Sequence, residues 1–357
     1  MQYYIRQSHL TSWILPPQIL RAVARNGSPK QRECALKTLA IDSTMRTSRV
    51  TLQMMPPRSH HSLMSAAPPL KQRTIYSTQN TETLPGVVSR NEGQGPTADP
   101  AVNEAYDGLG YTFDFYFKAY RRNSVDDRGL PLVATVHYGQ DYDNAFWNGQ
   151  QMIFGDGDGE DFNRFTIALD VIAHELTHGV TGYEANLAYV GEPGALNESI
   201  SDVFGSLVKQ FKLNQTADKA DWLIGVGLYT KRVQGRALRS MSAPGTAYDD
   251  PVLGKDPQVA TMSAYVHTSQ DNGGVHLNSG IPNHAFYLFA TQLGGYAWDN
   301  AGRVWYETLC DPRLQTTATF ARFASLTAVN AGTLFGDSSN EKRAVIDAWN
   351  QVEVKIS

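Results

Sequence analysis

Apolar positions in the second half of the chain recur at helical spacing. Leu169, Ile172, Ala173, Leu176 and Val180 predict a helix over 167–180. Ala195, Leu196, Ile200, Val203, Phe204 and Leu207 predict a second helix from Gly194 to about Lys212, with little surface left for water. Further helical patterns cover 281–293, 300–309, 316–331 and 341–352, the first opened by Ser279-Gly280-Ile281-Pro282 with proline near its first position. Between about residues 73 and 161 the pattern favours strands and turns, including 132–138 and 151–154. Upstream, Pro16-Pro17 leads into short helical patterns over 19–24 and 29–40, broken at Asn26-Gly27. A Pro/Ser/Met-rich stretch from Met45 to Pro69 reads as an exposed, cleavable linker. The expected division is 1–70 as a separate N-terminal segment, 71–170 as a β-rich lobe and 171–357 as an α-helical lobe. The fold class is α+β.

The first helix carries His174-Glu175-Leu176-Thr177-His178. Positions i and i+4 share a helix face, so both imidazoles can grip one metal ion. Glu175 points sideways, badly placed as a ligand and well placed to hold a water. H-E-x-x-H arises by accident in about one unrelated chain of this size in a hundred. On the motif alone, a surface helix with two incidental histidines is the alternative.

A catalytic two-histidine site needs a third protein ligand and an open position for water. Glu198 lies twenty positions beyond His178, enough for a chain reversal and an antiparallel helix. Asp202 follows it at i+4 on the same face. One carboxylate can bind the ion while the other accepts the free ring N–H of a ligating histidine. A third cluster is Gln270-Asp271-Asn272-Gly273-Gly274-Val275-His276. Across its Gly-Gly reversal, Asp271 can return to the His276 ring and keep it protonated.

These segments together resemble the thermolysin-type neutral metalloproteases. The resemblance runs through Asn144 to Gly149, Gly155 to Gly159, Asp170 to His178, Gly194 to Asp202, Arg239 to Ser242 and Asp271 to Ile281, in order over roughly residues 84 to 355. It implies a two-lobed zinc endopeptidase with the cleft between the lobes. His174, His178 and Glu198 would ligate one Zn²⁺, and Glu175 would act as general base and then acid. Tyr189 and His276 would donate to the oxyanion, with Asp271 orienting His276. Asp202 and Asn197 would hold the ligating imidazoles. Asn144 and the Ala145 backbone would keep a peptide extended, and Arg239 would bind a substrate carbonyl. Phe162, Phe165, Val171, Ile224, Leu228 and Leu238 match an apolar pocket, which implies a bulky hydrophobic residue donating the amine of the cleaved bond.

Two departures from the family pattern matter. Members with paired calcium ions carry carboxylates where this chain has Lys209, Leu223 and Val226, while Asp170 and Asp221 match. An ammonium repels Ca²⁺, so no double calcium site is expected and Lys209 is expected to pair with Asp170. The glycine-aspartate run 155–159 reads as a tight turn between strands rather than a calcium loop. Pro16-Pro17-x-x-Leu20 resembles the short propeptide of the protealysin-like subgroup. This implies a zymogen whose N-terminal segment is laid into the cleft and removed between Arg49 and Gln72.

Composition adds limits. The chain has 357 residues, 31 basic against 35 acidic, for a net charge of −4, which favours neither nucleic acid nor an anionic membrane. No run of eighteen apolar residues is present. Cys34 and Cys310 imply no disulfide framework, and the neighbours of Cys34 suit an ordinary helix position better than a thiolate plug on zinc. The first twenty residues lack a continuous apolar core of a Sec signal. The expected partners are protein or peptide substrates and the chain's own propeptide, with a monomer as the working state.

Overall fold

The computed structural model describes residues 12–53 and 70–356. Strands β1 (Ser12–Trp13), β2 (Arg73–Ser77), β3 (Val87–Asn91), β4 (Leu132–Val136), β5 (Ala145–Trp147) and β6 (Met152–Phe154) form one sheet in the order β1-β5-β6-β4-β2-β3. β4 runs parallel to both β2 and β6, and the remaining pairs are antiparallel. The N-terminal segment thus supplies an edge strand to the sheet of the lobe that follows it. Helices α1 (Pro17–Asn26) and α2 (Pro29–Gln53) come next in sequence.

The pattern of strands and turns expected over 73–161 is interrupted by a 21-residue helix, α3 (Pro100–Tyr120). Its start was encoded: Asp99 accepts from the N–H groups of Ala101 and Val102 at 2.9 and 3.4 Å, and Pro100 occupies the first turn. Arg121 closes it in the left-handed region at φ 62°. Gly108 and Gly110 and a run of aromatics obscured the periodicity. Gly108 is required by close approach, since a Cβ there would lie 2.4 Å from Ile172 Cδ1.

Ile172 belongs to α4 (Leu169–Tyr183), which begins two residues later than the sequence suggests, after a 3₁₀ turn at Phe165–Ile167. Every residue from Asp170 to Thr181 is buried, so this helix has no solvated face. Helix α5 (Gly191–Leu213) packs against it and ends at Asn214 in the left-handed region. A Cβ on Gly205 would stand 2.5 Å from Asp170 O and 3.4 Å from His174 Cβ. That bare backbone lets the two helices approach closely.

The C-terminal part contains a two-stranded pair, Leu223–Ile224 with Arg239–Ser240, and helices α6 (Asp271–Asn278), α7 (Gly280–Leu293), α8 (Asn300–Leu309), α9 (Phe320–Phe335) and α10 (Asn340–Gln351). α9 starts at Phe320, not Thr316, because Thr319 caps it by accepting from Arg322 N. Trp305 and Trp349 stack at 5.8 Å in the core, beside Phe323. A smaller cluster of Trp13, Tyr138, Tyr142, Phe146 and Ile153 forms where β1 meets the sheet. The architecture is a sheet-bearing N-terminal part and a helical C-terminal part. Among the described residues, no helix is long and apolar enough to cross a membrane.

Two expectations for connecting segments change. Residues 45–53 continue helix α2 instead of opening the linker, and 54–69 lie outside the described residues, as does part of the expected removal region. The run 155–159 is a turn, with Asp158 Oδ1 accepting from the N–H groups of Glu160, Asp161 and Phe162. It leads from β6 toward α4 rather than joining two strands of the sheet.

Candidate metal centre and cleft

Helices α4 and α5 bring His174 Nε2 and His178 Nε2 to 3.0 Å from each other, with Glu198 Oε2 3.5 Å from the first and Glu198 Oε1 3.5 Å from the second. Tetrahedral bonds of Zn²⁺ to such ligands imply separations of about 3.3 Å between ligand atoms. Among the described residues, this is the one group of three His, Cys, Asp or Glu whose ligand atoms all lie within 4.8 Å. Glu198 Oε2 is buried without a hydrogen-bond partner. A buried carboxylate oxygen and two imidazoles facing one point suit a divalent cation.

The ring atoms turned away from this point are taken. Asp202 Oδ1 lies 2.8 Å from His174 Nδ1, and Asn197 Oδ1 lies 2.8 Å from His178 Nδ1, with Ser201 Oγ at 3.0 Å from the same atom. Acceptors at both Nδ1 atoms favour ring lone pairs directed inward at Nε2. Sequence reasoning did not find two further grips on Asp202. Arg239 Nε and Nη2 donate to it at 2.8 Å each, and Asn283 Nδ2 at 2.9 Å. A buried arginine demands a carboxylate, but the burial of Arg239 shows only in the folded chain. Asn283 lies in α7, and its helical setting gave no hint.

Burial and charge act against each other throughout. Burial alone would pull His174 down, but Asp202 and Glu198 push it up to about 9. Burial takes His178 down to about 3, despite Glu198. Burial would raise Glu198, yet His276, His178 and His174 hold it well below the usual carboxylate range. Glu175 moves the other way: burial pushes it well above its ordinary value, opposed by His174 and helped by Glu198. One Glu175 oxygen, Oε2, accepts from Trp147 N–H of β5 at 3.0 Å, and Oε1 is buried with no hydrogen-bond partner.

Tyr189 and His276 face the same point from the other side. Tyr189 O–H donates to Glu198 Oε1 and lies 3.4 Å from His276 Nε2. Asp271 grips His276 twice, accepting from its backbone N–H at 2.9 Å and lying 2.7 Å from Nδ1. That return is made by a reversal in which Asp271, Asn272, Gly273 and Gly274 all have positive φ. Burial would lower His276, but Asp271 and Glu198 raise it to about 9.

The N-terminal segment crosses this cleft. His276 Nε2 is 2.9 Å from Trp13 O, and Arg239 Nη1 donates to Ile14 O at 2.8 Å. Ile14 N–H donates to Ala145 O at 3.2 Å, and Leu15 N–H to Asn144 Oδ1 at 3.1 Å. Asn144 is held in turn by Asp42 of α2, which accepts from its Nδ2 at 3.0 Å and from Tyr142 O–H at 2.6 Å. Phe162, Phe165, Val171, Ile224, Leu228 and Leu238 are all buried in the main core. Cys34 is buried in α2, its thiol pushed up to about 11 by burial and by Asp143, and it is no part of the His174–His178–Glu198 group.

Residues 41–182 match the family model for the catalytic domain of thermolysin metallopeptidases, and 185–354 match that for their α-helical domain. The chain belongs to the thermolysin-like metalloprotease family and is a peptide hydrolase. It is 52% identical to an extracellular metalloprotease of Pectobacterium carotovorum subsp. carotovorum over 96% of each chain, and 46% identical to Protease PrtS of a Photorhabdus strain over 96% and 92%. Among solved structures, the precursor of protealysin from Serratia proteamaculans is 56% identical, with a TM-score of 0.88 over 96% of this chain and all of that one.

Proposed function

We propose that this chain is the zymogen of a zinc endopeptidase in which His174, His178 and Glu198 hold one Zn²⁺. The convergence of their ligand atoms beside the unpartnered Glu175 Oε1 carries the reading. When bound, Zn²⁺ supplies Lewis acidity, polarising a carbonyl and acidifying water. Glu175 takes the proton of the attacking water and passes it to the leaving amine, and its raised affinity for protons suits both steps. Its other oxygen is fixed by Trp147, so the carboxylate needs no reorganisation as the proton moves. His276, kept protonated by Asp271, and Tyr189 donate to the developing oxyanion. Asn144, the Ala145 backbone and Arg239 align the peptide, a reading supported by their contacts with Ile14 and Leu15. Asp202 and Asn197 fix the two imidazoles.

Phe162, Phe165, Val171 and Leu238, with Ile224 and Leu228, line the pocket for a bulky apolar residue on the amine side of the bond. Residues 1–70 form the propeptide and linker, 71–170 the β-rich lobe and 171–357 the helical lobe. The strand contribution of β1 and the precursor relative support the zymogen reading. Lys209 replaces a calcium pair: its Nζ lies 2.8 Å from Asp170, 2.9 Å from Asp221 and 2.6 Å from Leu223 O. The working state is a monomer acting on protein or peptide substrates.

Casein digestion by the processed protein, with and without 1,10-phenanthroline, tests the core of this. Activity is expected only without the chelator. Equal digestion in both samples would remove zinc from the mechanism.

A further inference from the structure

The segment in the cleft is held in one register through the four polar atoms of two successive peptide groups. Trp13 O meets His276 Nε2, Ile14 N–H meets Ala145 O, Ile14 O meets Arg239 Nη1 and Leu15 N–H meets Asn144 Oδ1. Of the carbonyls in this stretch, that of Trp13 is directed to the metal side, because His276 Nε2 itself stands 3.5 Å from Glu198 Oε2. Slippage is blocked at both ends. A one-residue shift would turn every side chain to the opposite face, and Trp13 is buried against Phe146 and the Tyr138 cluster. On the other side Pro16, which has no N–H, ends the ladder and α1 begins at Pro17.

We infer that the Trp13–Ile14 peptide bond is a self-cleavage site of this chain. The inference rests on the roles proposed for Glu175, His276 and Arg239. In the reaction one water is consumed. A bond forms between its oxygen and the Trp13 carbonyl carbon, and the bond from that carbon to Ile14 N breaks. Both of the water's protons reach Ile14 N, carried by Glu175 one after the other, leaving a Trp13 carboxylate and an Ile14 ammonium. Only the product beginning at Ile14 stays covalently joined to the rest of the chain. Ile14 and Leu15 keep their contacts to Arg239, Ala145 and Asn144 and remain joined to α1, while in the other product Ser12–Trp13 pairs with β5 and Trp13 packs in its aromatic cluster. A tethered amine at high effective concentration also permits resynthesis. Cut and uncut chains therefore coexist until the piece ending at Trp13 leaves. The cut clears the carbonyl side of the cleft and leaves Ile14 and Leu15 covering the amine side.

The test adds one equivalent of Zn²⁺ to the full metal-free chain and follows intact mass and N-terminal sequence across a dilution series. A species beginning at Ile14 is expected, forming at a rate unchanged by dilution and missing from Glu175→Gln. An intact Trp13–Ile14 bond in a sample that digests casein overturns this inference and leaves the proposed function standing. A chain that cuts neither casein nor itself overturns both. Hydrogen exchange on the metal-free chain reads the register without turnover. The Ile14 and Leu15 amides are expected to be protected at least ~100-fold over free peptide, and free exchange at both overturns the assignment.

Discussion

Two charge clusters lie along the contact of helices α4 and α5, one wholly buried and the other completed by the exposed Asp221 from the segment after α5. At one, His174, His178 and Glu198 turn imidazoles and a carboxylate toward one point, and among the described residues no Lys or Arg pairs with Glu198. At the other, Asp170 and Asp221 face the same kind of point, and Lys209 Nζ fills it. Burial would depress that ammonium, yet Asp170 and Asp221 hold its proton affinity above the ordinary value. The difference separates chemistry from architecture. A tethered ammonium joins the helices without depending on a free ion, but it has no exchangeable position at which a substrate could bind. In the proposed active site, the cation must come from solution.

The largest effect expected from this contrast is on turnover. Glu175→Gln keeps the shape of the site and removes the proton carrier. It should lower kcat/KM on a peptide substrate by about 10³, within the range of general acid–base catalysis, while the unfolding midpoint of the metal-loaded protein stays within error. A mutant retaining wild-type kcat/KM would detach Glu175 from the mechanism.

Lys209→Met acts on the other cluster and should leave Asp170 buried beside an apolar side chain. Loss of one member of a buried pair typically costs about 3–5 kcal/mol of stability, read as a lower urea midpoint, with peptide hydrolysis by the folded fraction unchanged. A stability loss that added Ca²⁺ restores in Lys209→Glu, which presents three carboxylates, would sharpen the comparison further.

A smaller effect should follow at His137, whose ring bridges Asp156 and Asp99 at 2.8 Å each in the sheet-bearing part. Asp156 pushes it up to about 9 against the pull of burial, with Asp99 adding to the rise. A folded value above the unfolded one means that stabilisation is complete below about pH 6.5 and lost as pH rises through about 9. His137→Gln should therefore cost more at pH 6 than at pH 10, by a difference on the order of 2 kcal/mol. Equal cost at both values would show that the bridge is not charged.

Much of the site was legible because its chemistry is written at fixed helical offsets. His174 and His178 share one turn, as do Glu198 and Asp202, and Asp271 finds His276 across a reversal that two glycines announce. The contacts that escaped notice join residues far apart in sequence without a periodic signal. Trp147 N–H on Glu175, Asn283 on Asp202 and Asp42 on Asn144 exist only once the elements have packed. Among the elements, α3 was missed although Asp99-Pro100 marks its start, because its glycines and aromatics read as strand and turn. β1 could not be foreseen either. Two residues carry no alternation, and their conformation is set by the strand they join.

Metal content of the purified chain, measured by mass spectrometry of the elements, tests the contrast between the clusters most directly. One zinc per chain and no calcium are expected, with zinc lost in His178→Ala and retained in Glu175→Gln. Stoichiometric calcium, or zinc that survives His178→Ala, would contradict it.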